Sequence, residues 1–109
     1  MIGKWSEWRP FPDPAKGESL TAPFGPGCYE LRHGAQSVCC GKSKNVAYRM
    51  SSLLPEPVGA GTRYNKDKPR YVADHLAAVE YRTVATETEQ EAAAVEREIR
   101  AHGKYLFPT

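Results

Sequence analysis

The stretch "GCYELRHGAQSVCCG", Gly27 to Gly41, decides how this chain is read. Cys28 to Arg32 are strand-forming residues, His33 to Gln36 ("HGAQ") supply a turn, and "SVCC" resumes extended character before Gly41. Two short extended runs about a glycine-bearing turn predict a β-hairpin. Directly after it comes "GKSKNVAYRM", Gly41 to Met50, a glycine turn with two lysines. Val46, Met50, Leu53 and Leu54 recur there at helical spacing, Ser43 or Asn45 is placed to cap the start, and Pro55 ends the run. A hairpin that leads through a basic turn into a helix is the nucleus of the fold.

Further along, "PEPVGAGTRYNKDKP" has no regular period and reads as a glycine- and lysine-rich loop. "RYVADHLAAV" predicts a short helix with Val72, Leu76 and Val79 inward. "VEYRTVAT" then alternates as a strand, with Val79, Tyr81 and Thr83 on one side and Glu80, Arg82 and Val84 on the other. The last helix runs from about Thr88 to His102. Thr86-x-x-Glu89 and Thr88-x-x-Glu91 are capping-box patterns, and Ala92, Val95 and Ile99 form its narrow apolar stripe. "KYLFPT" reads as a short extended tail. Ahead of the hairpin, residues 1–25 are rich in proline and glycine and carry Trp5 and Trp8, which predicts an extended arm packed on a domain spanning 26–109. The expected architecture is α+β: a small sandwich in which a short mixed sheet is flanked by helices.

A chain of 109 residues suits one compact domain, and 40% hydrophobic with 26% charged residues is ordinary for a globular protein. No apolar run nears the roughly 20 residues of a membrane span. "MIGKWSEWRPFPDP" lacks the apolar centre of a secretory signal, so the expected location is the cytoplasm. Cys28 and the vicinal Cys39–Cys40 pair form an odd set with no zinc-knuckle spacing and read as reduced strand residues. Charge is segregated. Lys42, Lys44, Arg49, Arg63, Lys66, Lys68 and Arg70 outnumber Glu56 and Asp67, whereas Asp74 to Glu98 is predominantly acidic. A basic middle beside an acidic helix suits a polyanion-binding face; a solvated loop and helix would have the same composition.

These residues resemble the GIY-YIG nuclease domain over roughly Pro26 to Tyr105. The first motif of that family, Gly-x-Tyr, is matched by Gly27-Cys28-Tyr29, and the second, Tyr-x-Gly, stands as Cys39-Cys40-Gly41. The lysine-bearing turn and the helix arginine that follow are matched by Lys42, Ser43 and Arg49, and the glutamate of an "EA…E" helix by Glu96 in "EAAAVE". Cys39 replaces the second-motif tyrosine, and no asparagine follows the glutamate helix.

The resemblance implies an endonuclease that hydrolyses DNA phosphodiesters with a divalent cation, Mg²⁺ or Mn²⁺, alone or with a partner protein that supplies specificity. Tyr29 would be the general base or water-orienting group. A phenol with its pKa near ~10 needs a neighbouring cation for that work, and Lys42 is the expected one. Arg49 would clamp the scissile phosphate with its planar fork. Glu96 would hold the metal through one carboxylate, with Glu91 as a competitor for that role. Lys44, Arg63, Lys66, Lys68 and Arg70 would meet backbone phosphates, with Tyr64 interleaved for stacking. Two other readings are a nucleic-acid-binding module with an impaired site and a protein-interaction domain.

Overall fold

The computed structural model describes residues 4–51 and 67–107. Leu53, Leu54 and Pro55, expected to close the first helix, lie outside them. The elements in chain order are β1 (Arg9–Pro10), a single 3-10 turn (Pro14–Lys16), β2 (Gly27–His33), β3 (Gln36–Ser43), α1 (Val46–Ser51), α2 (Asp67–Asp74), β4 (Val79–Ala85) and α3 (Glu89–His102). The strands form one sheet in the order β1-β4-β2-β3.

The α+β class holds. The sheet, however, is antiparallel at every described pairing rather than mixed. The hairpin forces this for β2 and β3. The chain then crosses the sheet through α1 and α2 and returns beside β2 in the opposite direction.

Strand alternation gives the sheet two chemically distinct faces. Tyr29, Leu31, Cys39, Val79 and Tyr81 point to one, where Val46 and Met50 of α1 and Val72 of α2 complete the main core. Cys28 and Val84 point to the other, where Ala92 and Val95 of α3 cover them. Val46, Met50 and Val72 are fully buried, each worth roughly 1.5–3 kcal/mol of apolar burial. The small Ala92 lets α3 approach so closely that the Cys28 thiol donates to the Ala92 carbonyl at 3.1 Å.

The arm is woven into this fold. It supplies the edge strand β1, and Phe11, only 2% exposed, enters the main core edge-on to Tyr81. The Trp8 ring lies 4.1 Å from the Arg32 guanidinium, and Arg82 sits 4.3 Å from Trp5 and 4.8 Å from Trp8. Both indoles thus serve as cation–π partners that pin the arm to β2 and β4.

Helix α2 starts and stops earlier than the sequence suggests. A turn about His75, which receives hydrogen bonds from the Ala78 and Val79 amides, frees Val79 to open β4. Helix α3 begins at the expected cap: Thr88 Oγ1 accepts from the Glu91 amide at 3.1 Å. The Glu91 carboxylate caps the Glu87 amide at 2.9 Å, so it serves the helix start. Among the described residues no helix is long and apolar enough to cross a membrane.

Candidate active site at the edge strand

β3 is an outer strand of the sheet, opposite β1, and its second half carries the second motif. Tyr29 faces Gly41 across the β2–β3 ladder and lays its ring over that residue. A Cβ on Gly41 would stand 2.6 Å from the Tyr29 hydroxyl oxygen and 2.8 Å from Cζ. Gly27 has a similar reason to lack a side chain, because a Cβ there would meet the Val84 carbonyl oxygen at 2.1 Å and Val46 Cγ2 at 3.1 Å. The two motif glycines therefore have separate packing roles: Gly27 admits β4 and α1, and Gly41 admits the phenol.

On the opposite face, α3 is tied to the same strand segment. Arg100 donates from Nη2 to the Cys40 carbonyl at 3.1 Å, and its Nε lies 3.7 Å from Glu96 Oε1, one turn earlier. Glu96 also raises the Cys28 thiol pKa through its charge, second to burial. Hence Glu96 is held beside Cys28 and Cys40, while Tyr29 sits across the strand on Gly41.

Lys42 takes a different place from the one expected. It follows Gly41 on β3, so it projects from α3's face while Tyr29 projects from α1's face. Its charge acts on the Cys28 thiol, lowering a pKa that burial pushes up to about 12. Alternation along β3 thus directs the lysine to the face opposite the phenol it was expected to activate. Arg49 lies in the last turn of α1 with its side chain exposed, on Tyr29's side of the sheet. Lys44 and Arg70 are exposed. Arg63, Tyr64 and Lys66 lie outside the described residues, as does the side chain of Lys68.

Tyr29 is 2% exposed and Cys39 is fully buried. Cys39 faces Leu31 in the ladder and belongs to the main core, so its thiol packs rather than reaching solvent. Next to the motif lies a polar cluster that the sequence does not announce. Glu30, 8% exposed, accepts from Arg82 Nη2 at 2.6 Å and from the Tyr105 hydroxyl at 2.5 Å. Burial first, then the Glu30 bond, drives the Tyr105 pKa far above its ordinary value. The tail around Tyr105 also covers the start of β3, with the Leu106 and Phe107 amides donating to the Ser37 and Val38 carbonyls. Cross-strand pairing of Glu30 with Arg82 was the only signal for this cluster, and it requires the register to be known.

Among the described residues no group of three or more His, Cys, Asp and Glu side chains is placed to hold a metal ion. The donor available near the motif is the Glu96 carboxylate, 21% exposed and only loosely paired. One carboxylate fits Mg²⁺, which keeps most of its waters and fills its shell with substrate oxygens. Two hollows of ≈ 330 and ≈ 250 Å³ are lined instead by residues such as Pro10, Glu18 and Leu76, or Arg9, Glu18 and Tyr81, away from the motifs.

No family model matches the sequence, and no curated protein matches it significantly. Solved structures do. The GIY-YIG N-terminal endonuclease domain of UvrC from Thermotoga maritima, bound to its catalytic magnesium, matches with a TM-score of 0.61 at 20% identity, over 86% of this chain and 94% of that one. An asparagine-to-alanine mutant of that domain, bound to its catalytic divalent cation, gives 0.61, 20% identity and coverages of 86% and 93%. A tyrosine-to-phenylalanine mutant with the cation gives 0.61, 19%, 86% and 93%.

Proposed function

The chain has the fold of the GIY-YIG endonuclease domain, and from that premise we propose that it is a divalent-metal-dependent endonuclease acting on DNA phosphodiesters. The observation that carries this reading is the grip on Cys40–Gly41 from both sides. Tyr29 lies over Gly41 on one face, and on the other Arg100 ties the Cys40 carbonyl to the Glu96 turn of α3. Because β3 is an edge strand, groups from the two faces can meet round its rim.

In this reading each side chain has a bounded task. Glu96 holds Mg²⁺ or Mn²⁺, which when bound supplies positive charge to the pentavalent phosphorus transition state. Arg49 contributes its guanidinium fork to the non-bridging phosphate oxygens, and Lys42 and Lys44 orient the flanking backbone. Tyr29 positions the attacking water through its hydroxyl. Its ring is held by Gly41, which fixes that oxygen without a second tyrosine from Cys39. Arg100, whose Nε lies 3.7 Å from Glu96 Oε1, links that carboxylate's turn of α3 to β3.

The buried Cys39 favours one second reading, a GIY-YIG module that binds DNA without cutting it. Purified protein with supercoiled plasmid, Mg²⁺ or Mn²⁺ separates the two. Nicked or linear product that vanishes with EDTA and with Arg49→Lys supports the nuclease. Salt-sensitive binding with no product in either metal supports the module, and no binding at low salt leaves only a protein-interaction role.

A further inference from the structure

Phe24 is 86% exposed and Tyr48 is 74% exposed, the two largest exposures among the described large hydrophobic residues. They come from distant parts of the sequence, yet the fold joins them. The Val46 amide donates to the Gly25 carbonyl at 3.1 Å and the Ala47 amide donates to the Pro23 carbonyl at 2.8 Å. Phe24 is therefore strung between two carbonyls that receive the first amides of α1, and Tyr48 is the third residue of that helix. Each aromatic is also presented from a fixed backbone. The Thr86 amide holds the Pro26 carbonyl at 2.9 Å. Asn45 Oδ1 accepts from the Tyr48 amide at 3.0 Å, and Ser43 Oγ accepts from the Asn45 amide at 3.0 Å.

The charge around this pair selects its occupant. From Ser43 to Ser51 the chain has Lys44 and Arg49 and no acid, and Pro23 to Gly27 has no charge at all. Exposed flat rings on segments that carry cations and no acid suit stacked bases with their phosphates, because every base offers a π-face and stacking needs no sequence match. Bases inside a continuous duplex are already stacked and present only edges to a side chain.

We propose that Phe24 and Tyr48 form a base-stacking platform that makes unpaired DNA, a single strand or the single-stranded arm of a branched duplex, the preferred ligand of the β3–α1 turn. This rests on the DNA-acting reading above and adds the substrate class to it.

The test is fluorescence anisotropy at low salt without divalent metal, with three labelled probes: a 15-nucleotide oligothymidylate, a blunt 15-base-pair duplex and the same duplex with a single-stranded arm. The wild-type chain is expected to bind the first and third at least tenfold more tightly than the second. Phe24→Ala and Tyr48→Ala should each weaken binding of those two probes by between about fivefold and about a hundredfold, the effect of losing one stacked base, and leave duplex binding within twofold. Lys44→Ala should weaken all three alike. Both aromatics are exposed, so thermal melting of the variants should match wild type. Equal affinity for the three probes, or a double Phe24→Ala/Tyr48→Ala variant that binds oligothymidylate like wild type, overturns the platform while leaving the DNA-acting reading intact. Absence of binding to every probe overturns both. Concentration-dependent dimerisation that the double variant abolishes overturns the platform in favour of a contact between copies.

Discussion

Gly41→Ala is the sharpest perturbation of the motif geometry. The added methyl carbon would lie 2.6, 2.8 and 2.9 Å from the Oη, Cζ and Cε1 atoms of Tyr29. Carbon contacts relax near ~3.5–4.0 Å, so the ring must retreat by roughly 1 Å. Tyr29 is 2% exposed and packed among Leu31, Cys39 and Val46, so there is little room for the retreat. Overpacking of this kind costs about 1–3 kcal/mol. For a domain of this size that lowers Tm by roughly 5–20 °C. The assay is a double-mutant cycle read by urea unfolding. Tyr29→Leu removes the ring, and in that background Gly41→Ala should be neutral or stabilising by up to about 1 kcal/mol, since glycine weakens a strand. The coupling between the two sites should therefore be at least about 1 kcal/mol. Equal cost of Gly41→Ala in both backgrounds would falsify the account of why this glycine follows that tyrosine.

Other expectations follow from the same contacts. Arg82→Ala leaves Glu30, 8% exposed, without its cation and with the Tyr105 hydroxyl as a remaining donor, and should cost about 3 kcal/mol, near the lower end for a broken buried pair because the Arg82 side chain is itself 28% exposed; urea titration of Arg82→Ala with and without Glu30→Gln should show the second change restoring part of the loss. Thr88→Ala removes the acceptor of the Glu91 amide and should cost about 1 kcal/mol of stability in the same assay. Cys28 holds its proton more tightly folded than unfolded, first through burial and then through the Glu96 charge, with its pKa pushed from 9.0 to about 12. Its contribution is therefore intact below pH 9.0 and declines as pH rises toward about 12. Tyr105, raised by burial and by its bond to Glu30, acts in the same direction from about pH 10 upward. Cys28→Ala and Tyr105→Phe should each flatten the alkaline loss of Tm. With Cys28, Cys39 and Cys40 all buried as reduced thiols, a thiol reagent at pH 8 should modify none quickly in the folded chain and all three after unfolding.

The hairpin, the strand β4 and the capped start of α3 were legible because their signals are local: alternation, a turn tetrapeptide, and a threonine three residues before a glutamate. The arm was only half legible. A two-residue edge strand ending in proline has no periodicity, so nothing marked Phe11 as a core residue ahead of the two tryptophans. The Glu30–Arg82–Tyr105 cluster and the Arg100 bridge to Cys40 depend on register and on the rotation of α3, which pairs of distant residues do not reveal singly. The face Lys42 takes was hidden for a related reason. The lysine's neighbours in sequence are those of the motif, but alternation along β3 turns it to the other face from Tyr29. Phe24 and Tyr48 escaped notice because exposure, rather than residue type, is what makes them unusual.

The nuclease reading depends most on Glu96. Single-turnover cleavage of a labelled DNA probe, with protein in excess and Mg²⁺ present, compares wild type with Glu96→Gln, a change that keeps the shape of the side chain and removes its charge. The account predicts cleavage by wild type and a rate at least about a hundredfold lower in the variant, with DNA binding and Tm unchanged. Cleavage at an equal rate in both, or no cleavage by wild type in Mg²⁺ or Mn²⁺ despite tight binding, would contradict it.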